Sequence, residues 1–371
     1  AGVNNIHFEE VEKFIDLVAI SIAADIVPIT GENRVLAFYG LKQLNSKPRP
    51  GIEAILKFSN VHRSDTPADY YFKRQLTIND LVFLVGPRIN AAGRMETGKK
   101  SVELLICDNY QDAFFIAEQI NNNNIERKNH DTCTTQQAIE YIRNNEQLLS
   151  SKSTVVYNPE WHKGVIGIVA SRLTEEFYRP TIVLTHSNGL ITGSARSIKD
   201  FDIYDAIEAC SDLLEHFGGH KYAAGLSLKP ENLDAFRKKF EEVVSSTLTE
   251  DMMIPEIEID DCINLSDINS KFHNILKQFA PFGPGNMSPI FQTDNVKDAG
   301  YSKVVGTNHL KLSIISHDSS SFPISGIAFQ LGEYLPFIQK GLPFSICYHI
   351  EENEWNGKTT LQLNVKDIKF D

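Results

Sequence analysis

Thr154-Val155-Val156-Tyr157, then Trp161-His162-Lys163-Gly164-Val165-Ile166-Gly167, then Thr181-Ile182-Val183-Leu184: from Ser153 to residue 184 the chain changes its period twice. The first and last runs are short, apolar and rich in β-branched residues, as buried strands are. Residues 164–177 instead repeat their apolar positions at helical spacing. Strand, helix, strand at this separation predicts a βαβ unit with a right-handed crossover. Residues 190–196 alternate as a third strand. Residues 203–217 predict a helix halted by Gly218-Gly219, and residues 233–244 a closing amphipathic helix.

Upstream, residues 8–22 form an amphipathic stretch that breaks between Ala24 and Asn33, and the helical pattern restarts at Asn33. Residues 84–95 read as a glycine-containing loop between lobes, and residues 101–106 as a helix. Residues 109–145 form one long helical tract, so poor in apolar side chains that a solvent-bridging connector is expected. Downstream of Asp251 the pattern becomes all-β. Alternating runs at 254–259, 290–293, 309–315, 324–329, 344–350 and 361–368 are divided by turns such as Asn356-Gly357, with one helix at 266–277. This predicts a small closed barrel, with an OB-fold as the leading form.

The chain has 371 residues, too many for one ordinary core, so two or three domains are expected. Apolar residues at 42% and charged residues at 23% exclude wholesale disorder. No apolar run is long enough to span a bilayer, and the first residues lack the features of a signal peptide. Cys107, Cys133, Cys210, Cys262 and Cys347 are scattered, with no CxxC pair. Disulfides and structural zinc are therefore not expected, and a reducing cytoplasm fits. A net charge of -12 opposes a protein that coats duplex DNA by counterion release, and alone it favours a small-molecule enzyme. A local basic groove is compatible with it.

Several short strings carry candidate chemistry. In Gly193-Ser194-Ala195-Arg196-Ser197 a hydroxyl and a guanidinium two residues apart project to one side of a strand, which suits a terminal phosphate. An edge strand whose arginine meets solvent is the plain alternative. Gly218-Gly219-His220 bares backbone N–H groups to an anion, or simply caps a helix. Residues 161–167 lie where a strand enters a helix N-terminus, a place that favours anions, with His162 and Lys163 as possible charges. Asp25 stands in an apolar, strand-like run, either as a solvated turn former or as a ligand for a hard cation. Arg88, Asn90 and Arg94 suit an anionic substrate near a cleft, or a salt-bridged hinge.

In their order along the chain these strings carry a family resemblance. Asp16-Leu17-Val18-Ala19, Ala24-Asp25-Ile26-Val27-Pro28 and Gly31-Glu32-Asn33-Arg34 resemble the last motif of the DHH phosphoesterases. The segment from Gly86-Pro87-Arg88-Ile89-Asn90 to Gly93-Arg94-Met95 resembles the interlobe segment of the RecJ exonucleases. Residues 162–172, Gly193–Ser197 and Gly218–His220 with Ala223-Ala224-Gly225 resemble the DHH-associated domain. Pro281-Phe282-Gly283-Pro284-Gly285-Asn286 and His309-Leu310-Lys311-Leu312 are similar to the RecJ barrel.

The resemblance implies a multidomain α/β plus β architecture: the end of a DHH α/β domain with its interlobe segment (1–107), a connector helix (108–150), a DHH-associated α/β domain (151–250) and an OB-like barrel (251–371). It implies a processive 5′-to-3′ exonuclease on single-stranded DNA in recombination and repair. Mn²⁺ or Mg²⁺ would be the cofactor, helicase or single-strand-binding proteins the partners, and a cytoplasmic monomer the form. By motif, Asp25 would bind metal, and Ser194 and Arg196 would hold the 5′-phosphate. Arg88, Asn90, Arg94, His162, Gly218, Gly219 and His220 would contact DNA. Phe282, Tyr301 and Phe329 would stack on bases or pack the barrel core.

The family's early aspartate-rich motifs and its Asp-His-His triplet do not occur in these 371 residues. The expectation is therefore a portion of a longer enzyme that is inactive alone. A phosphodiesterase for oligonucleotides or cyclic dinucleotides, and a non-catalytic DNA-binding relative, are the alternatives.

Overall fold

The computed structural model describes residues 8–65, 70–95, 98–317, 322–355 and 358–370, so the Asn356-Gly357 turn lies outside the described residues. The first half runs α1 (Phe8–Glu12), α2 (Ile15–Ala24), α3 (Gly31–Ser46), α4 (Pro50–Lys57), α5 (Ile78–Asp80), α6 (Gly86–Met95), α7 (Lys99–Ile106), α8 (Tyr110–Arg143) and α9 (Glu146–Ser150). Then come β1 (Thr154–Tyr157), α10 (Ile166–Phe177), β2 (Thr181–Ser187), β3 (Leu190–Arg196), α11 (Ile203–Glu208), β4 (His216–His220), β5 (Ala223–Leu228) and α12 (Leu233–Thr247). The rest is β6 (Asp261–Cys262), α13 (Ser270–Lys277), β7 (Phe291–Asp298), β8 (Lys303–Val305), β9 (His309–Ser316), β10 (Ile324–Ala328), α14 (Leu335–Ile338), β11 (Phe344–Trp355) and β12 (Lys358–Phe370).

Two compact units emerge, each assembled from separated stretches of chain. One takes the described parts of 48–74 and 83–256; the other takes the described part of 1–47, residues 75–82 and the described part of 257–371.

The first of these is built on a five-stranded sheet in the order β1-β2-β3-β5-β4. Strands β1 and β2 pair in parallel, as a βαβ unit requires, and the other pairings are antiparallel. Strand periodicity then sorts the side chains by face. Ile182, Leu184, Ile191, Ala195, Ala224, Leu226 and Leu228 pack on one face with Phe236, Phe240 and Val244 of α12. On the other face Val156 and Val183 meet Val165 and the α10 residues Ile166, Val169, Ala170 and Leu173.

Three sequence expectations change in this unit. Helix α8 spans 34 residues, about 51 Å at the usual rise, but it is no solvent-bridging connector. It packs against α4, α6, α7 and α10 through Ala113, Ala117, Ile120, Asn121, Asn124, Thr134, Ala138 and Ile142. Small and amide side chains make most of this buried face, so apolar content gives little sign of it. Residues 84–95 are not a loop: a π-helical turn, Leu81–Val85, leads directly into α6. The helix expected over 203–217 ends at Glu208, and Gly218-Gly219-His220 belongs to edge strand β4 rather than to a helix cap. Phe217 faces Leu226 and Gly219 faces Ala224, an alternation that belongs to strand pairing.

In the second unit α2 and α3 lie so close that a β-carbon on Gly40 would stand 2.5 Å from the Ala19 Cβ. The barrel sheet runs β6-β7-β11-β12-β10-β9-β8, and an extra β7–β9 pairing closes it into five strands, as an OB-fold requires. Its core holds Val296, Leu310, Leu312, Ile314, Phe344, Ile346, Tyr348, Leu363 and Val365. The Tyr348 hydroxyl, fully buried, is within 2.6 Å of Thr293 Oγ1, so the polar tip does not go unsatisfied. Residues 254–259 form no strand; Asp260 and Ile290 instead bond each other through N–H, carbonyl and carboxylate groups.

Residues 281–286 anchor this unit internally. The Ile29 N–H donates to Pro284 O at 2.6 Å, and Gly283 leaves the space that the Ile29 side chain fills. Arg34 Nη2 donates to Phe279 O at 2.8 Å. No described helix is long and apolar enough to cross a membrane.

Candidate functional site

Strand β3 presents Thr192, Ser194 and Arg196 toward the face that carries α10, because alternate residues share a face. Arg196 Nη1 donates to Ser194 Oγ at 3.1 Å and to Ala195 O at 2.8 Å, and Nε donates to Ser171 Oγ at 3.2 Å. Ser171 is four residues beyond Gly167, so both lie on the face of α10 turned to β3. A β-carbon on Gly167 would stand 3.1 Å from Ser194 Oγ and 3.2 Å from Arg196 Nη2. The bare second residue of α10, a hydroxyl and a guanidinium thus converge. The helix start at Val165 has no side-chain cap, so the first N–H groups and the helix dipole add to the attraction for an anion.

The β register extends this site sideways. Ser194 pairs with Gly225, which pairs with Gly218; Arg196 pairs with Ala223, which pairs with His220. Paired residues share a face, so His220 lies two strands, about 10 Å, from Arg196 on the same side. The two glycines of β4 divide the work. A β-carbon on Gly218 would meet nothing within 4 Å, whereas one on Gly219 would stand 2.4 Å from Ala223 O. Gly219 is required by the sheet, and Gly218 leaves an open surface.

The remaining expected residues are scattered. The His162 ring stacks on His130 of α8 with centroids 5.4 Å apart, and its Nδ1 accepts from the Gly164 N–H at 3.0 Å. It shapes the loop that enters α10. Arg88 is buried: Nε donates to Asn121 Oδ1, Nη1 to Leu84 O and Nη2 to Phe58 O. Burial lowers its pKa, and the side chain ties α6 to α8 and to the end of α4, which corrects its expected place in a glycine-containing loop between lobes. Asn90 is exposed on α6; Arg94 is on the same helix, with its side chain outside the described residues. Asp25 is not in a strand but at the C-terminal end of α2, and it is exposed. Among the described residues no group of three or more His, Cys, Asp and Glu side chains is placed to hold a metal. These residues alone do not fit a two-metal centre, and no hydrolytic step follows from them.

On the barrel, Lys303 pairs with Lys311, and Phe329 lies against His309 with ring centroids 5.2 Å apart. Tyr301 is 76% exposed and Phe329 54%, while Phe282 is only partly exposed. Ser171 escapes sequence reading as a member of the phosphate site, and Gly167 is legible only as part of an anion-favouring loop. Their four-residue spacing at a βα helix start is the available signal.

A helix start, a strand hydroxyl and an arginine above a glycine-floored sheet define an α/β domain built to hold an anion, with an OB-like barrel further along the chain. Family models match in both places: a DHHA1 domain over residues 150–246 and a RecJ OB domain over residues 259–367. The chain thus carries these two domains in this order, and along nearly its whole length it is similar to RecJ proteins.

It is 34% identical over 360 residues to the single-stranded-DNA-specific exonuclease RecJ of Bacillus subtilis, covering 96% of this chain and 44% of that protein. With RecJ of Escherichia coli it shares 32% identity over 375 residues, 98% of this chain and 62% of the relative. The chain thus spans about half the length of the curated relatives it matches. Crystalline RecJ of Thermus thermophilus in complex with Mg²⁺ aligns with a TM-score of 0.81 over 97% of this chain and 52% of that one, at 24% identity, which shows the shared fold. A Mn²⁺ complex of the same protein aligns equally well.

Proposed function

We propose that this chain is the substrate-holding part of a 5′-to-3′ exonuclease that degrades single-stranded DNA in recombination and repair. One observation carries the reading: Gly167, Ser194 and Arg196 converge at the uncapped start of α10. A terminal phosphate offers several acceptor oxygens in a small volume, matching a hydroxyl, a guanidinium fork and helix N–H groups. Holding a 5′-phosphate there would set the polarity of degradation. Asn90, Arg94, His162, Gly218 and His220 are assigned to the neighbouring strand, and Arg88 to the scaffold.

The outer face of β8, β9 and β10, with Lys303, Lys311, His309, Phe329 and the adjacent Tyr301, is assigned to the incoming strand. Cations there neutralise phosphates and exposed rings stack on bases without sequence preference. Mn²⁺ or Mg²⁺ is proposed as the cofactor of the whole enzyme, with Asp25 as one ligand. A cytoplasmic monomer with helicase or single-strand-binding partners completes the reading.

The test compares binding of 5′-phosphorylated and 5′-hydroxyl single strands by the wild-type chain and by Arg196→Ala. The wild type should prefer the phosphate, and the variant should lose that preference while keeping its affinity for internal strand. Equal preference in both proteins would remove the assigned role. Assay of the 371-residue chain with Mn²⁺ should show no turnover, and turnover matching that of a full-length relative would overturn the division of labour.

A further inference from the structure

Beside the phosphate site, on the same side of the sheet, lies a cavity of about 350 Å³. Lys163, Asn188, Thr192, His216, Gly225 and Ser227 are among its walls. The register explains why they meet: Thr192 pairs with Ser227, which pairs with His216, one step along from the row of Ser194, Gly225 and Gly218. Lys163 comes from the loop before α10, and Asn188 from the tight β2–β3 turn, where Asn188 and Gly189 both have positive φ. Among the described residues, no intramolecular hydrogen bond or ion pair engages the side chains of these five polar groups.

We propose that this cavity seats the sugar and base of the 5′-terminal nucleotide whose phosphate Ser194 and Arg196 hold, a proposal that rests on the phosphate reading above. A second phosphate would leave most of the volume unfilled, whereas a nucleoside suits a pocket at the lower end of the usual ligand range. The floor is flat at Gly225, where a β-carbon would meet only Gly193 O, at 3.9 Å. The walls are adaptable. Thr192 and Ser227 hydroxyls and the Asn188 amide each can donate and accept, so they satisfy the edge of any base. The seat therefore favours the presence of a base over its identity, as a nuclease that must move along every sequence requires.

The probes are a short 5′-phosphorylated thymidine oligomer, the same oligomer with an abasic 5′-terminal nucleotide, and its 5′-hydroxyl form, each titrated against the whole chain. The wild type should bind the complete end about tenfold tighter than the abasic end, the equivalent of one or two net hydrogen bonds. Ser227→Val fills the cavity with a strand-compatible side chain, and Thr192→Val removes a hydroxyl at constant shape. Each should bring the two phosphorylated probes close to equal affinity while leaving abasic binding and the unfolding midpoint unchanged. If Ser227→Val does not fold, Thr192→Val and Ser227→Ala carry the comparison through the loss of a wall hydroxyl.

Equal wild-type affinity for complete and abasic ends would overturn the nucleoside seat and leave the phosphate grip standing. Variants that weaken both phosphorylated probes alike would also overturn it. Indifference of the wild type to the 5′-phosphate would overturn the grip, and the seat with it.

Discussion

Gly167 and Ser194 approach so closely that a β-carbon on the glycine would stand 3.1 Å from the serine Oγ. The same β-carbon would reach within 3.2 Å of the Arg196 guanidinium. Space for an anion therefore depends on an absent methyl group, in a helix that would otherwise favour alanine.

Gly167→Ala should separate folding from binding. Alanine favours a helix over glycine by about 0.5–1 kcal/mol, so the thermal midpoint should hold or rise. The added methyl crowds Ser194 and Arg196, so preference for a 5′-phosphorylated strand should fall about tenfold or more. A variant that is less stable yet keeps its end preference would contradict this packing.

The neighbouring glycines of β4 should respond oppositely. Gly219→Ala puts its β-carbon against Ala223 O and should cost about 1–3 kcal/mol in urea unfolding. Gly218→Ala meets open space and should unfold within about 0.5 kcal/mol of the wild type. If Gly218 lines the substrate path, only that folded variant reports on binding.

Arg88→Met tests whether this arginine serves the scaffold or the strand. Removing its donors leaves Asn121 Oδ1 and the carbonyls of Leu84 and Phe58 without them, so stability should fall by about 2–4 kcal/mol. Strand affinity per folded molecule, measured by fluorescence anisotropy, should remain that of the wild type. A selective loss of affinity in a stable protein would return Arg88 to the binding surface.

Acid should weaken the barrel unit through His273. Burial holds its imidazole below the usual 6.5, while Glu352, 3.6 Å away, pulls upward and Lys277 downward. The unfolded chain takes up the proton more readily, so this contribution is complete above pH 6.5 and lost as pH falls through the folded value. Unfolding midpoints collected from about pH 8 to about pH 5 should decline in the wild type and flatten in His273→Gln. Parallel curves would assign the loss to other groups.

Much of the fold is legible in the sequence because period-2 and period-3.6 patterns are strong where burial is one-sided. The patterns place β1 and β3 to the residue, and the barrel strands from β9 onward to within a few positions. The failures share a cause, which is packing by residues that carry little hydrophobic signal. Asn121, Asn124 and Thr134 bury one face of α8, and Gly218 and Gly219 in β4 resemble a helix stop. For the site, Ser194 and Arg196 are legible as a strand pair, but the helix that completes them depends on a crossover that only tertiary structure brings into place. Arg88 misleads because an arginine in a glycine-containing stretch gives no sign of which carbonyls await it.

The tie between Ile29 and Pro284 joins positions some 250 residues apart within one unit. Loop closure of that length is slow, and it comes late for a chain emerging from the ribosome. The helix pair α2–α3 gains this tie only once residues 283–284 have been synthesised. The β1–β5 sheet, contiguous from Thr154 to Leu228, has no such wait. Pulse-labelled hydrogen exchange during refolding should therefore protect Val155 and Val183 before Ala19 and Ala37, although Ala19 and Ala37 come first in the chain.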